Sequence, residues 1–199
     1  MDALLPLALE RPEGPDRTAA IAGWFQSLFA IEEVPVLVGG GAVELYSGGT
    51  YVTGDLDIVG QLSPQVQVRL REAGFARTGR HWIHEESQTF IEVCGSHLAP
   101  GEEATLVELG GSRVVVLSPE DTLVDRLAAW QFWKSPADGI NAFHLWWNVR
   151  VKLQAHRLEM AASCRGVSLA LERLLAFGER SRVLIVAWEE IERWAKDLP

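Results

Sequence analysis

Asp55 and Asp57 stand two residues apart in Gly54-Asp-Leu-Asp-Ile-Val59, where acidic and apolar positions alternate along the whole segment. A period of two is the mark of a strand with one covered face. On such a strand the two carboxylates share a face, roughly 6.6 Å apart along the backbone, while Leu56 and Ile58 turn to the core. Two like charges on a partly covered face repel and lose hydration, so the pair calls for a cation. The hard divalent ions Mg2+ and Mn2+ take carboxylate and phosphate oxygens and suit it.

Upstream, the apolar run Pro35-Val-Leu-Val38 ends in Gly39-Gly40-Gly41 and leads into a short helix expected over about Ala42 to Tyr46. A helix start has unpaired N–H groups, and glycine lets a bulky anion approach them, which together describe a phosphate site. Neither G-x-x-x-x-G-K-[ST] nor G-x-G-x-x-G fits, since Glu44 falls where the last glycine of the second pattern would be. A tight strand-to-helix connection without a ligand would read the same way. Glu92, in Thr89-Phe-Ile-Glu-Val93, is a third acid on a strand expected to lie antiparallel beside the first. It is functional if its face is covered and unremarkable if that face is open.

Other side chains fit ordinary roles better. His81 and His84, three apart in a strand-like stretch, point to opposite faces, and His97 reads as a loop residue near the site. Trp130, Trp133, Trp146 and Trp147 could stack a base, but aromatic residues at helical spacing more often form core.

The elements that must position these groups can be read in outline. A helix capped by Asp16 is expected through about Ala30, with Ala20, Trp24, Leu28 and Ile31 as its apolar stripe. Ser63-Pro64 opens a helix to about Ala73. Short strands follow around Arg77, Trp82 to His84, Thr89 to Val93, Thr105 to Leu109 and Arg113 to Leu117, the last two joined by Gly110-Gly111. Ser118-Pro119-Glu-Asp121 is a helix start. Beyond it, Phe143, Trp147, Val151, Gln154 and Leu158 mark one face of a second helix, and helices over Leu169 to Phe177 and Val183 to Trp194 complete the chain. The reading is an α+β chain: an α/β core over residues 1–117, with a mixed sheet flanked by helices, and a C-terminal helical region over 118–199 packed on it.

Composition narrows the function. With 199 residues and 48% of them hydrophobic, the chain can bury a sizeable core. Its two cysteines, Cys94 and Cys164, lack the spacing of a zinc site or a disulfide framework, which suits a reducing cytoplasm. No apolar run approaches the roughly 20 residues of a membrane helix, and the N-terminus does not read as a secretory signal. A net charge of -9 argues against non-specific coating of nucleic acid. Locally, Arg150, Lys152, Arg157 and Arg165 against Glu159 give +3 between Gly139 and Arg165, which would suit a polyanion or an ordinary solvated face.

Together these residues resemble the nucleotidyltransferase fold of the DNA polymerase β type, and most of all the minimal nucleotidyltransferases of prokaryotic toxin-antitoxin and abortive-infection systems. The resemblance lies in the Gly-Gly-x-Ala turn (Gly39, Gly40, Ala42), in Thr53-Gly-Asp-Leu-Asp57 as a Thr-x-Asp-x-Asp strand, and in Glu92 as the third acid. Leu117-Ser-Pro-Glu-Asp121, leading into Asp125-Arg-Leu-Ala-Ala129, resembles the helix that follows the core in those families. The resemblance spans about Val34 to Trp146. It implies a nucleotidyltransferase-like mixed sheet, with Asp55, Asp57 and Glu92 as catalytic residues and ligands of Mg2+ or Mn2+. It also implies that Gly39, Gly40, Gly41 and Thr53 hold a nucleoside triphosphate such as ATP. The reaction would move a nucleoside monophosphate onto a hydroxyl of RNA, protein or a small molecule, and a cognate toxin or antitoxin would be a partner. Gly41 replaces a commonly small polar residue, and Glu92 a more usual Asp. These departures suit an alternative, a nucleotide-binding or regulatory module of the same fold that transfers nothing.

Overall fold

The structure, a computed structural model, describes residues 4–181 and 187–199, which fall into two compact units, Met1–Ser118 and Pro119–Pro199. The first unit opens with helices α1 (Leu4–Leu9) and α2 (Pro15–Gln26). Strand β1 (Val36–Val38) runs straight into α3 (Gly39–Ser47), and β2 (Asp55–Val59) and α4 (Pro64–Glu72) follow. Five strands complete the unit: β3 (Ala76–Thr78), β4 (His81–His84), β5 (Thr89–Gly95), β6 (Ala104–Leu109) and β7 (Ser112–Leu117). All seven form one mixed sheet in the order β3-β4-β5-β2-β1-β7-β6.

The alternation read in Gly54 to Val59 is realised in β2: Leu56 and Ile58 are buried while Asp55, Asp57 and Val59 are half-buried. Leu37, Ile91, Val114 and Val116 from neighbouring strands join them. Ala19, Ala22 and Phe25 of α2 and Val66 and Leu70 of α4 close the core. Ser63 caps α4, its hydroxyl accepting the Val66 N–H.

Three local expectations are corrected. The first long helix starts at Pro15 behind Gly14, not behind an Asp16 cap. It ends at Gln26, where the Ser27 hydroxyl turns back to the Trp24 carbonyl, and Ile31 is left 89% exposed in a separate 3-10 turn. The glycines form the first turn of α3, not a loop before it. Third, β5 lies parallel to β2, not antiparallel. Between them the chain passes through α4 and the β3–β4 hairpin, a crossover long enough to bring it back in the same direction.

The second unit contains α5 (Pro119–Phe132), α6 (Pro136–Val149), α7 (Ala155–Arg165), α8 (Ser168–Ser181) and α9 (Trp188–Lys196). The continuous helical face expected from Phe143 to Leu158 is broken between α6 and α7, and Val151 on it is 83% exposed. At the break the Gln154 N–H donates to Glu120 Oε1 at 2.7 Å, so a side chain on α5 satisfies the start of α7. Trp130 and Trp146 are core, as their spacing suggests, whereas Trp133 is 79% exposed. The helix expected from Val183 begins at Trp188, and residues 183–186 lie outside the described residues. No helix among the described residues is long and apolar enough to cross a membrane.

Candidate active site

Two strand registers assemble the site. Along β1 and β2, Val38 lies opposite Asp57; along β2 and β5, Glu92 lies opposite Asp57. The helix start at the end of β1 therefore meets Asp57 at the centre of the sheet, and Glu92 lies beside Asp57 on the next strand. Gly39 has φ +56°, a left-handed conformation, and a side chain there would run into the Asp57 carboxylate. A Cβ on Gly40 would come within 2.6 Å of Thr53 Oγ1. Glycine at 39 lets Asp57 close over the helix start, where its Oδ2 accepts the Gly40 N–H at 3.2 Å, and glycine at 40 leaves room for Thr53. That amide, expected among the donors to phosphate, here serves Asp57.

The three acids have different surroundings. Asp55 Oδ1 accepts from the Thr53 hydroxyl at 3.1 Å and borders a small cavity lined also by Arg17, Thr18 and Gln88. Asp57 pairs with no cationic side chain among the described residues, and its carboxyl is held above its ordinary range. Burial is the main cause, followed by the charge of Asp55; the Gly40 N–H and the Cys94 thiol oppose the shift and Glu92 adds to it. Glu92 is bound on both oxygens, Oε1 by Arg80 at 2.9 Å and Oε2 by His81 at 3.0 Å.

Among the described residues, one set of potential metal-binding side chains has its ligand atoms all within 4.8 Å of one another: Asp57, Glu92 and Cys94. Asp55 stands outside that set. The Cys94 thiol reaches Asp57 Oδ1 at 3.6 Å and Glu92 Oε1 at 3.7 Å. Cys94 is exposed at the surface, yet partial desolvation of its thiol, followed by the charges of those two acids, pushes it up to about 12, so at neutral pH it is a proton donor to the cluster. The donor set fits a divalent cation: two carboxylates and a thiol converge, and an ion would stabilise the ionised form of Asp57 that burial, and secondarily the charge of Asp55, now disfavours.

Sequence reasoning passed over two participants that had a signal. Cys94 lies two residues beyond Glu92 on one strand and so on the same face, but spacing rules along the chain miss ligands supplied across strands. Glu44 sits among apolar neighbours on α3 and is completely buried, its Oε2 accepting from Thr18 Oγ1 at 2.8 Å and the Thr53 N–H at 3.4 Å. Arg80 and His81 had none, because their approach to Glu92 depends on the β4–β5 pairing, which sets His81 opposite Glu92.

A mixed sheet whose central strands carry these acids beside a glycine-opened helix is consistent with a nucleotidyltransferase-like fold. The chain is similar to the crystal structure of an antigenic nucleotidyltransferase-like protein from Paracoccidioides brasiliensis, with a TM-score of 0.55 at 16% identity over 81% of this chain and 95% of that one. At that identity the likeness is one of fold. No family model and no curated protein matches the chain.

Proposed function

We propose that the chain is a metal-dependent nucleotidyltransferase that moves a nucleoside monophosphate from a nucleoside triphosphate to a hydroxyl acceptor. The observation that supports this most is the meeting of Asp57 and Glu92 across the β2–β5 register at the glycine-opened start of α3. Asp57 and Glu92, with Asp55 alongside, would hold Mg2+ or Mn2+. When bound, such an ion neutralises triphosphate charge and polarises the reacting phosphoryl group.

The remaining chemistry belongs to the chain. Gly39, Gly40, Gly41 and Thr53 would bind the triphosphate at the N-terminal end of α3, where the helix dipole favours an anion, the Gly40 N–H exchanging Asp57 Oδ2 for a phosphate oxygen. Glu92 takes the proton of the acceptor hydroxyl, whose oxygen bonds to the α-phosphorus as the bond to the departing pyrophosphate breaks. Positioning supplies most of the rate.

Incubation with each α-labelled triphosphate, Mn2+ and candidate acceptors should transfer label, and Asp57→Asn should abolish transfer while folding normally. Asn keeps an oxygen for the Gly40 N–H and removes a charge that burial penalises. Label transfer that survives Asp57→Asn would overturn the assignment.

One observation favours a second reading. Arg80 and His81 occupy both oxygens of Glu92, as they would in a nucleotide-binding module that does not transfer, acting as a regulatory member of a toxin-antitoxin pair. Saturable triphosphate binding without transfer to any acceptor would select it.

A further inference from the structure

We propose that Cys94 is a metal ligand and gives this site a second, thiophilic preference: with Asp57 and Glu92 it forms a three-ligand site for a cation of the Zn2+ or Cd2+ class. The proposal rests on the reading of Asp57 and Glu92 as metal ligands and extends it to a donor of different chemistry. A Zn–S bond of about 2.3 Å and a Zn–O bond of about 2.1 Å at a tetrahedral angle separate sulfur from oxygen by about 3.6 Å. Cys94 Sγ lies 3.6 Å from Asp57 Oδ1 and 3.7 Å from Glu92 Oε1.

The backbone sets that spacing. Glu92 and Cys94 are alternate residues of β5 and Asp57 faces Glu92 from β2; Cys94 sits where the β2–β5 register shifts, between Val93 opposite Ile58 and Gly95 opposite Val59, an irregularity that re-aims a side chain. A thiophilic cation would bind the sulfur as thiolate, the thiol proton leaving to solvent as the metal–sulfur bond forms. Mg2+ has no use for sulfur and stays with the carboxylates. Arg80 and His81 leave Glu92 able to bind, because each carboxylate oxygen has two lone pairs and each is bonded once by these side chains. Occupation by the softer ion would exclude the harder one from Asp57 and Glu92, making the chain sensitive to thiophilic metal.

The test uses the full chain carrying Cys164→Ser, which leaves Cys94 as its single thiol. Cd2+ titration is followed by the ultraviolet sulfur-to-cadmium charge-transfer band, and Mn2+ titration by the electron paramagnetic resonance of the free ion. A band saturating at one equivalent is expected, with loss of the band in Asp57→Asn. In Cys94→Ser the band should vanish and the ratio of Cd2+ to Mn2+ affinity fall at least about tenfold, since even outer-sphere changes cost about 10–100-fold in affinity. Saturable Mn2+ binding with no cadmium band overturns the Cys94 proposal and leaves the hard-metal reading standing. A band that persists undiminished in Asp57→Asn also overturns it, by assigning the signal to an isolated surface thiol. A cadmium band that requires Asp57, in a chain that binds no Mn2+, supports the thiophilic site and removes the magnesium reading of the proposed function.

Discussion

Glu44 shows how a single side chain couples the site to the core. Its Oε2 gathers the hydroxyl of Thr18 from α2 and the N–H of Thr53, the residue whose own hydroxyl holds Asp55. Its Oε1 is buried with no hydrogen-bond partner, and burial holds the carboxyl above its ordinary range despite those two donors. A raised carboxyl means the folded chain binds the extra proton more readily than the unfolded one. Its contribution is nil below the ordinary glutamate range, then becomes a growing penalty as pH rises through the folded value, and is constant above it. Thermal melts from mildly acidic to neutral pH should therefore fall with pH in the wild type. They should fall less in Glu44→Gln, which keeps an oxygen for the two donors and cannot ionise. Equal slopes in the two proteins would show that Glu44 does not titrate in the folded state.

At the level of elements, the central part of the fold could be read because its signals are local. The strand over Asp55 to Val59 declares itself by alternation, α4 by Ser63-Pro64, and the β6–β7 hairpin by Gly110-Gly111, both at positive φ. The direction of β5 could not be read that way: alternation fixes which residues share a face and says nothing about which strand lies alongside or which way it runs. The break between α6 and α7 was hidden for a similar reason, since no Gly or Pro marks it and the side chain that satisfies the start of α7, Glu120, lies more than thirty residues upstream. Long-range partners also hold α9. Trp130 of α5 is completely buried, donates its indole N–H to the Ala195 carbonyl at 2.7 Å and meets the Trp194 ring at 4.5 Å. Trp130→Phe should lower stability by about 1–3 kcal/mol by stranding that buried carbonyl, read as a shift of the urea midpoint. Trp133→Ala, at an exposed position of the same segment, should change it by less than about 0.5 kcal/mol. Equal shifts would mean that the indole N–H contributes nothing to seating α9.

At the scale of the whole chain, charge bears on whether the proposed reaction could use a long RNA. The stretch from Gly139 to Arg165 has an apparent +3, yet Arg157 pairs with Asp121 and Arg165 with Asp125, and Arg150 lies over the Trp147 ring at 4.2 Å while donating to the Trp147 carbonyl. Those two ion pairs leave Arg150 and Lys152 against Glu159, two minus one, within a chain of net charge -9. Binding to a nucleic acid backbone draws on released counterions, with a slope of about -0.9 in log affinity per phosphate neutralised for a duplex and about -0.7 for a single strand. A face with so little uncompensated positive charge has few phosphates to neutralise, which argues against tight binding of a long RNA to it. Fluorescence anisotropy with a labelled RNA strand of a few tens of nucleotides should give weak binding that changes little between low and physiological salt. Tight binding with a steep salt slope would mean that the Asp121 and Asp125 pairs open on contact with phosphate. Asp121→Asn and Asp125→Asn should then tighten RNA binding further.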